Sequence, residues 1–229
     1  MPAPFTRYGY RELITFSASF GLLALLGGYL IWWPLAVVFG IPMCWVMWFF
    51  RDPPRTVPDD EGAVVAPADG TIMDIIEVDD AEFIGGPATR IGIFLSIFDV
   101  HINRAPYAGR VEYIKYHKGK FFAAMRPQAS LENESNSVGM VLPDHDNKKI
   151  LVKQISGVIA RRIVCTANEG DTLGRGEKFG MIKFGSRTEL YIPLDLAFEP
   201  CVKVGQKVHA GSSIVGRLLP ANRREQAGE

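Results

Sequence analysis

The chain has 229 residues, with 25 Lys+Arg against 25 Asp+Glu, so its balanced charge offers no basic field for a nucleic-acid partner. A hydrophobic content of 48% with 22% charged residues excludes a disordered chain. Three scattered cysteines (Cys44, Cys165, Cys201) and four histidines without paired spacing argue against a disulfide framework and against a sequence-encoded metal site.

From Leu13 to Phe50 run 38 consecutive residues without Asp, Glu, Lys, Arg or His. One span needs roughly 20 apolar residues, so the run suits two helices better than one. Gly27-Gly28 and Trp32-Trp33-Pro34 interrupt it, and Pro34 disfavours helix at Trp33. The expectation is a hairpin of helices near 13–32 and 35–50, the second spanning or re-entrant. Tyr29, Trp32, Trp33, Trp45 and Trp48 suit headgroup depth. Arg7 and Arg11 precede the run, and Arg51 and Arg55 follow it, which predicts both ends on the cytoplasmic side of the cell membrane. The run is too long for a signal peptide and no small-residue cleavage site closes it. The chain is thus divided into a membrane-associated hairpin, 1–52, and a soluble domain, 53–229.

The soluble part reads as short strands rich in Val, Ile, Phe and Tyr, bounded by Gly, Pro, Asp or Asn. They are Ala63–Val65, Thr71–Val78, Arg90–Ser96, Val111–Tyr116, Ser137–Leu142, Ile150–Ser156, Ile163–Cys165, Phe179–Lys183, Glu189–Ile192 and Ser213–Leu218. Short helices are expected at Gly157–Arg162 and Phe121–Met125. Residues 65–73 and 202–216 each read as strand, glycine turn, strand. The second resembles the biotinyl/lipoyl-type barrel-sandwich pattern, which makes the fold class a β-rich α+β, barrel-sandwich-like domain behind a helical hairpin.

Gly185-Ser186 interrupts strand-like residues in Lys183-Phe-Gly-Ser-Arg-Thr-Glu-Leu-Tyr-Ile-Pro193, and on its own a Gly-Ser pair reads as a turn. In context the segment resembles the self-cleavage site of the phosphatidylserine decarboxylase family, in its short branch of roughly 230 residues. Three further segments match in order. Ala66-Pro-Ala-Asp-Gly70 is similar to the family's P-x-D-G turn, and Phe98–Pro106 to its D-x-H-x-x-x-x-P segment. Gly119–Ala124 with Asn133-Glu134 resembles its G-x-[FL]-F … N-E stretch.

The resemblance implies a proenzyme that cuts itself after Gly185 into chains 1–185 and 186–229, which stay together as a heterodimer. Ser186 would become an N-terminal pyruvoyl group, the only cofactor, with no metal and no pyridoxal phosphate. That group would form a Schiff base with an aminophospholipid of the membrane, release CO₂ and leave phosphatidylethanolamine. His101 is nominated as proton donor and Asp69 as part of the maturation relay. Chemistry agrees with these choices: glycine leaves its carbonyl open to a neighbouring hydroxyl, the hydroxyl needs a base, and imidazole titrates near working pH.

Arg104 stands where the larger branch has a second histidine. Either His101 performs both tasks or another residue supplies the base, and Arg104 could instead hold a substrate phosphate or carboxylate. His117 and Phe121 are weaker substrate-contact candidates. His209 reads as an exposed turn residue, and Arg161-Arg162 and Arg223-Arg224 as solvated faces. An archaetidylserine-type lipid and a homo-oligomer are equally compatible with the sequence. A non-enzymatic membrane-anchored barrel-sandwich adaptor is the alternative, and a zinc peptidase lacks ligand spacing.

Overall fold

A computed structural model describes residues 4–80, 82–158, 162–183 and 185–219. The chain forms two compact units, Met1–Pro54 and Arg55–Glu229.

In the first unit, helix α1 spans Tyr10–Leu30 and α2 spans Pro34–Phe49. Pro34 occupies the first turn of α2, where its missing N–H costs nothing. The segment Arg7–Leu30 is long and apolar enough to cross a membrane, whereas α2 is a shorter apolar helix. The expected break at Gly27-Gly28 is not found, because α1 continues through both residues. Both glycines instead allow close approach: a Cβ on Gly28 would lie 2.8 Å from Cβ of Ala36, and one on Gly27 3.2 Å from Cβ of Leu35. Trp33 takes helical angles immediately before Pro34, as the cap of α2.

In the second unit, strands dominate. In chain order they are β1 (Ala63–Val65), β2 (Gly70–Asp80), β3 (Gly86–Leu95), β4 (Ile102–Arg104), β5 (Gly109–His117), β6 (Ser135–Leu142) and β7 (Lys148–Ile155). These are followed by β8 (Arg162–Cys165), β9 (Thr172–Leu173), β10 (Lys178–Lys183), β11 (Ser186–Pro193), β12 (Phe198–Pro200), β13 (Lys207–Val208) and β14 (Ile214–Leu218). An eight-stranded sheet has the order β13-β2-β3-β11-β7-β6-β5-β9, and two three-stranded sheets have the orders β1-β14-β12 and β4-β10-β8. All ten expected strands are present. β13 falls within residues 202–216, read as strand, glycine turn, strand, whereas β4, β9 and β12 were not expected, two or three residues being too few to show a period.

The expected helix at Phe121–Met125 is absent, and a helix, α3, forms at Pro127–Glu132 instead. Pro127 holds Arg126 extended (φ −80°, ψ 140°) and presets the first helical turn behind it. The expected Gly157–Arg162 helix falls partly on 159–161, outside the described residues, while Arg162 already belongs to β8. Arg161, Arg223 and Arg224 also lie outside the described residues.

The two related segments meet each other. β1 pairs with β14 and β2 with β13, and across the same seam Ala66 donates its N–H to the Ser213 carbonyl and accepts Gly211 N–H on its own carbonyl. Between them lies the apolar core, including Val64, Ile72, Ile91, Ile93, Met140, Val152, Leu190, Val208 and Val215. β11 sits between β3 and β7, and all eight of its residues are buried. It begins just after β10 ends at Lys183, so the link through Gly185 carries the chain from a small sheet into the centre of the large one.

Candidate active site

Three of the four matched segments meet at that link: its own, Phe98–Pro106 through His101, and Gly119–Ala124 with Asn133-Glu134. Gly185 has φ +61°, a left-handed conformation that favours glycine, and this angle lets the chain change sheets in a short connection. Ser186 follows as the first residue of β11, fully buried, and its hydroxyl has no hydrogen-bond partner among the described residues. A buried hydroxyl left unmatched costs about 1–3 kcal/mol, so such a group at a predicted reacting position points to chemistry.

His101, also fully buried, holds Gly185 in place. Its Nε2 accepts the main-chain N–H of Gly185 at 3.1 Å, and its Nδ1 lies 2.9 Å from the carbonyl oxygen of Asp99. A carbonyl can only accept and an amide can only donate, so the ring is the neutral Nδ1–H tautomer. The main-chain oxygen of His101 accepts from Ile182 N–H at 3.1 Å, fastening the end of β10 to the same residue.

On the other side stands Gly157. A Cβ there would lie 2.2 Å from the carbonyl oxygen of Gly185 and 3.5 Å from Cβ of Ala124. The register Arg187↔Ile155 between β11 and β7, continued one and two steps, sets Ser186 opposite Ser156 and Gly185 opposite Gly157. Ser156 brings to the site a second buried hydroxyl that has no hydrogen-bond partner among the described residues. Asn133 braces this wall: it donates to the carbonyls of Phe122 and Ser156 at 2.8 Å each and accepts Phe122 N–H at 2.8 Å. Asn133 was quoted among the matched residues, whereas Gly157 and Ser156 were missed. Cross-strand register, which places them, leaves no mark in a local pattern.

A second layer fixes β11 from both faces. Toward the small sheet, Asn103 donates to Thr188 Oγ1 at 3.0 Å and accepts from Gln154 at 2.9 Å, and Gln154 accepts from Asn136 at 3.0 Å. On the opposite face, Arg187 donates to Glu189 and Asp74 at 2.7 Å each, and Ser130 and Tyr191 donate to Glu189 at 3.0 and 2.6 Å. Burial, and next the Glu189 charge, push the Tyr191 phenol far above its ordinary range, so it remains a donor. Burial likewise lowers Lys153, whose ammonium donates to the Ser130 carbonyl at 2.8 Å.

The remaining sequence candidates are distributed as follows. The Asp69 carboxylate accepts from Arg55 at 2.5 Å, from Ala210 N–H at 2.8 Å and lies 3.2 Å from His209 Nδ1. Arg55 and His209 were not singled out as its partners, because neither is near it in sequence. Arg104 is buried and donates to the Gly176 carbonyl at 2.9 Å, beside the Gly211 turn. His117 ends β5 and is exposed, and Phe121, at 41% exposure, lies on the loop braced by Asn133.

Comparison with known proteins gives one consistent result. The family profile described as phosphatidylserine decarboxylase matches residues 44–216. A Rhodopirellula baltica protein named phosphatidylserine decarboxylase proenzyme is 50% identical over 214 residues, covering 93% of this chain and 88% of its own. Proteins of the same name from Carboxydothermus hydrogenoformans and Cereibacter sphaeroides are 46% and 41% identical, covering 91% and 98% of this chain and 96% of their own lengths.

Proposed function

The chain belongs to the phosphatidylserine decarboxylase family, and we propose that it converts phosphatidylserine to phosphatidylethanolamine and CO₂ with a pyruvoyl group made from its own Ser186. The single observation that carries this reading is the link from half-buried Gly185 to fully buried Ser186, held by His101 and walled by Gly157, with no partner for the Ser186 hydroxyl among the described residues.

In maturation, Ser186 Oγ attacks the Gly185 carbonyl carbon, the C–N bond breaks, and the chain is joined through an ester. Loss of the α-proton expels the Gly185 carboxylate and leaves dehydroalanine at 186. Addition of water and loss of ammonia then give the pyruvoyl end. Gly157, without a side chain, leaves room at the Gly185 carbonyl, and neutral His101 can take the hydroxyl proton once its Nε2 releases the Gly185 N–H.

The pyruvoyl group, once formed, supplies an electron sink for the pair released with CO₂. His101 then returns a proton to the substrate α-carbon. Asp69, with His209 Nδ1 3.2 Å from its carboxylate, is assigned to the maturation relay.

Residues 1–52 act as the membrane anchor and 53–229 as the catalytic domain, with the flanking arginines keeping it on the cytoplasmic side. Chains 1–185 and 186–229 remain one folded body, because β11 of the second is paired on both edges with strands of the first. The test is Ser186→Ala: the variant is expected to stay full-length and to release no CO₂ from phosphatidylserine. Cleavage or turnover in that variant would overturn the reading.

A further inference from the structure

Three loops each set one residue against the Gly185 link and expose the next. Ile97 Cγ2 lies 3.7 Å from where a Cβ on Gly185 would be, and Ala124 packs against Gly157, which abuts the Gly185 carbonyl. The residues that follow, Phe98, Met125 and Val158, are apolar and 62%, 61% and 56% exposed. Phe121, on the Met125 loop, is also exposed. Single exposed apolar side chains are ordinary, but four of them on three loops around one buried reacting centre form a patch.

The charge around them is net positive. Lys118 and Arg126 are exposed on the same loop as Phe121 and Met125. The acidic neighbours Asp99 and Glu132 are each balanced by a lysine, Lys207 and Lys120. Alternating basic and large apolar side chains are the composition of a surface that enters the headgroup layer of an anionic bilayer.

We propose that Phe98, Phe121, Met125 and Val158 form a collar that seats the mouth of the site on an anionic phospholipid surface. The collar solves a geometric problem: the headgroup carbon that reacts must reach a buried centre while two acyl chains stay out of water. An apolar rim pressed to headgroup depth lets the lipid enter head-first without crossing solvent. This inference rests on Gly185-Ser186 being the reacting centre, and it adds a contact made by the catalytic unit itself.

The test uses the full-length chain in bilayer discs of phosphatidylcholine and phosphatidylserine. Met125→Cys is labelled with an environment-sensitive fluorophore, and the unsubstituted chain is labelled in parallel to measure the signal from its own cysteines. Lipids bearing a quencher just below the headgroup should quench the Met125 label well beyond that background, and equal quenching would overturn the collar. In a second experiment, Phe98→Ser, Met125→Ser and Val158→Ser are combined. The ratio of turnover on bilayer phosphatidylserine to turnover on a monomeric short-chain analogue should fall on the order of tenfold, since a tether keeps effective lipid concentration high.

An unchanged ratio, or a ratio and label signal that vary with protein concentration as for contact between copies, would overturn the proposal. If the unsubstituted chain decarboxylates neither substrate, the functional reading fails while the quenching result still decides the collar.

Discussion

The main-chain N–H of Gly185 donates to Nε2 of His101 at 3.1 Å, and this contact fixes both the protonation state and the position of the imidazole. The opposite nitrogen must donate to the Asp99 carbonyl, so the neutral ring directs its one lone pair at the Gly185 N–H. In the proposed mechanism, release of that N–H frees the same ring to act as a base before cleavage and, once protonated, as an acid afterwards.

His101→Ala should slow self-cleavage, and in the small chain that does form it should lower the decarboxylation rate by about 10²–10⁴-fold, the usual contribution of a positioned general acid or base. Steady-state CO₂ release, normalised to the amount of cleaved small chain, checks this. Undiminished turnover per cleaved chain would remove His101 from the reaction.

Gly157→Ala tests the wall behind the Gly185 carbonyl. The added methyl would lie 2.2 Å from the Gly185 oxygen, so the carbonyl must shift. A displacement of about 1 Å can cost about 100-fold in rate, and the variant should accumulate as the uncleaved chain while keeping its circular dichroism. Cleavage at the parental rate would show that the carbonyl is free to turn.

Asp69→Asn and His209→Ala should both slow appearance of the small chain in a refolding time course, Asp69→Asn more strongly. Asp69 also anchors Arg55 and the Ala210 turn, whereas His209 is 60% exposed at its side chain. Normal maturation of His209→Ala with slow maturation of Asp69→Asn would assign the task to Asp69 without its histidine.

Tyr191→Phe removes a donor from buried Glu189 and leaves one carboxylate oxygen with less compensation. The expected loss is about 1–3 kcal/mol of stability, read as a lower denaturation midpoint in urea. Because β11 keeps its strand pairing, the extent of self-cleavage in the folded variant should be unchanged.

Much of this arrangement was legible in the residues. Alternating Val, Ile and Phe between turn residues marked the long strands, and the uncharged run from Leu13 to Phe50 marked the hairpin. The ordered motifs named Gly185, Ser186, His101 and Asp69. What could not be read was pairing at a distance. Gly27 and Gly28 looked like breaks because helix–helix packing, which turns them into contact points, is invisible in one segment. Phe121–Met125 has the composition of a helix, but Pro127 places the helix after it. Gly157, Ser156, Gln154 and Arg55 join the site only through strand register or the folded turn.

The most direct test of self-processing is the intact mass of the purified protein. Two chains ending and beginning at Gly185 and position 186, the smaller lighter by one ammonia than a serine-started peptide, is the predicted result. A single full-length species that persists through incubation with phospholipid bilayers would contradict it.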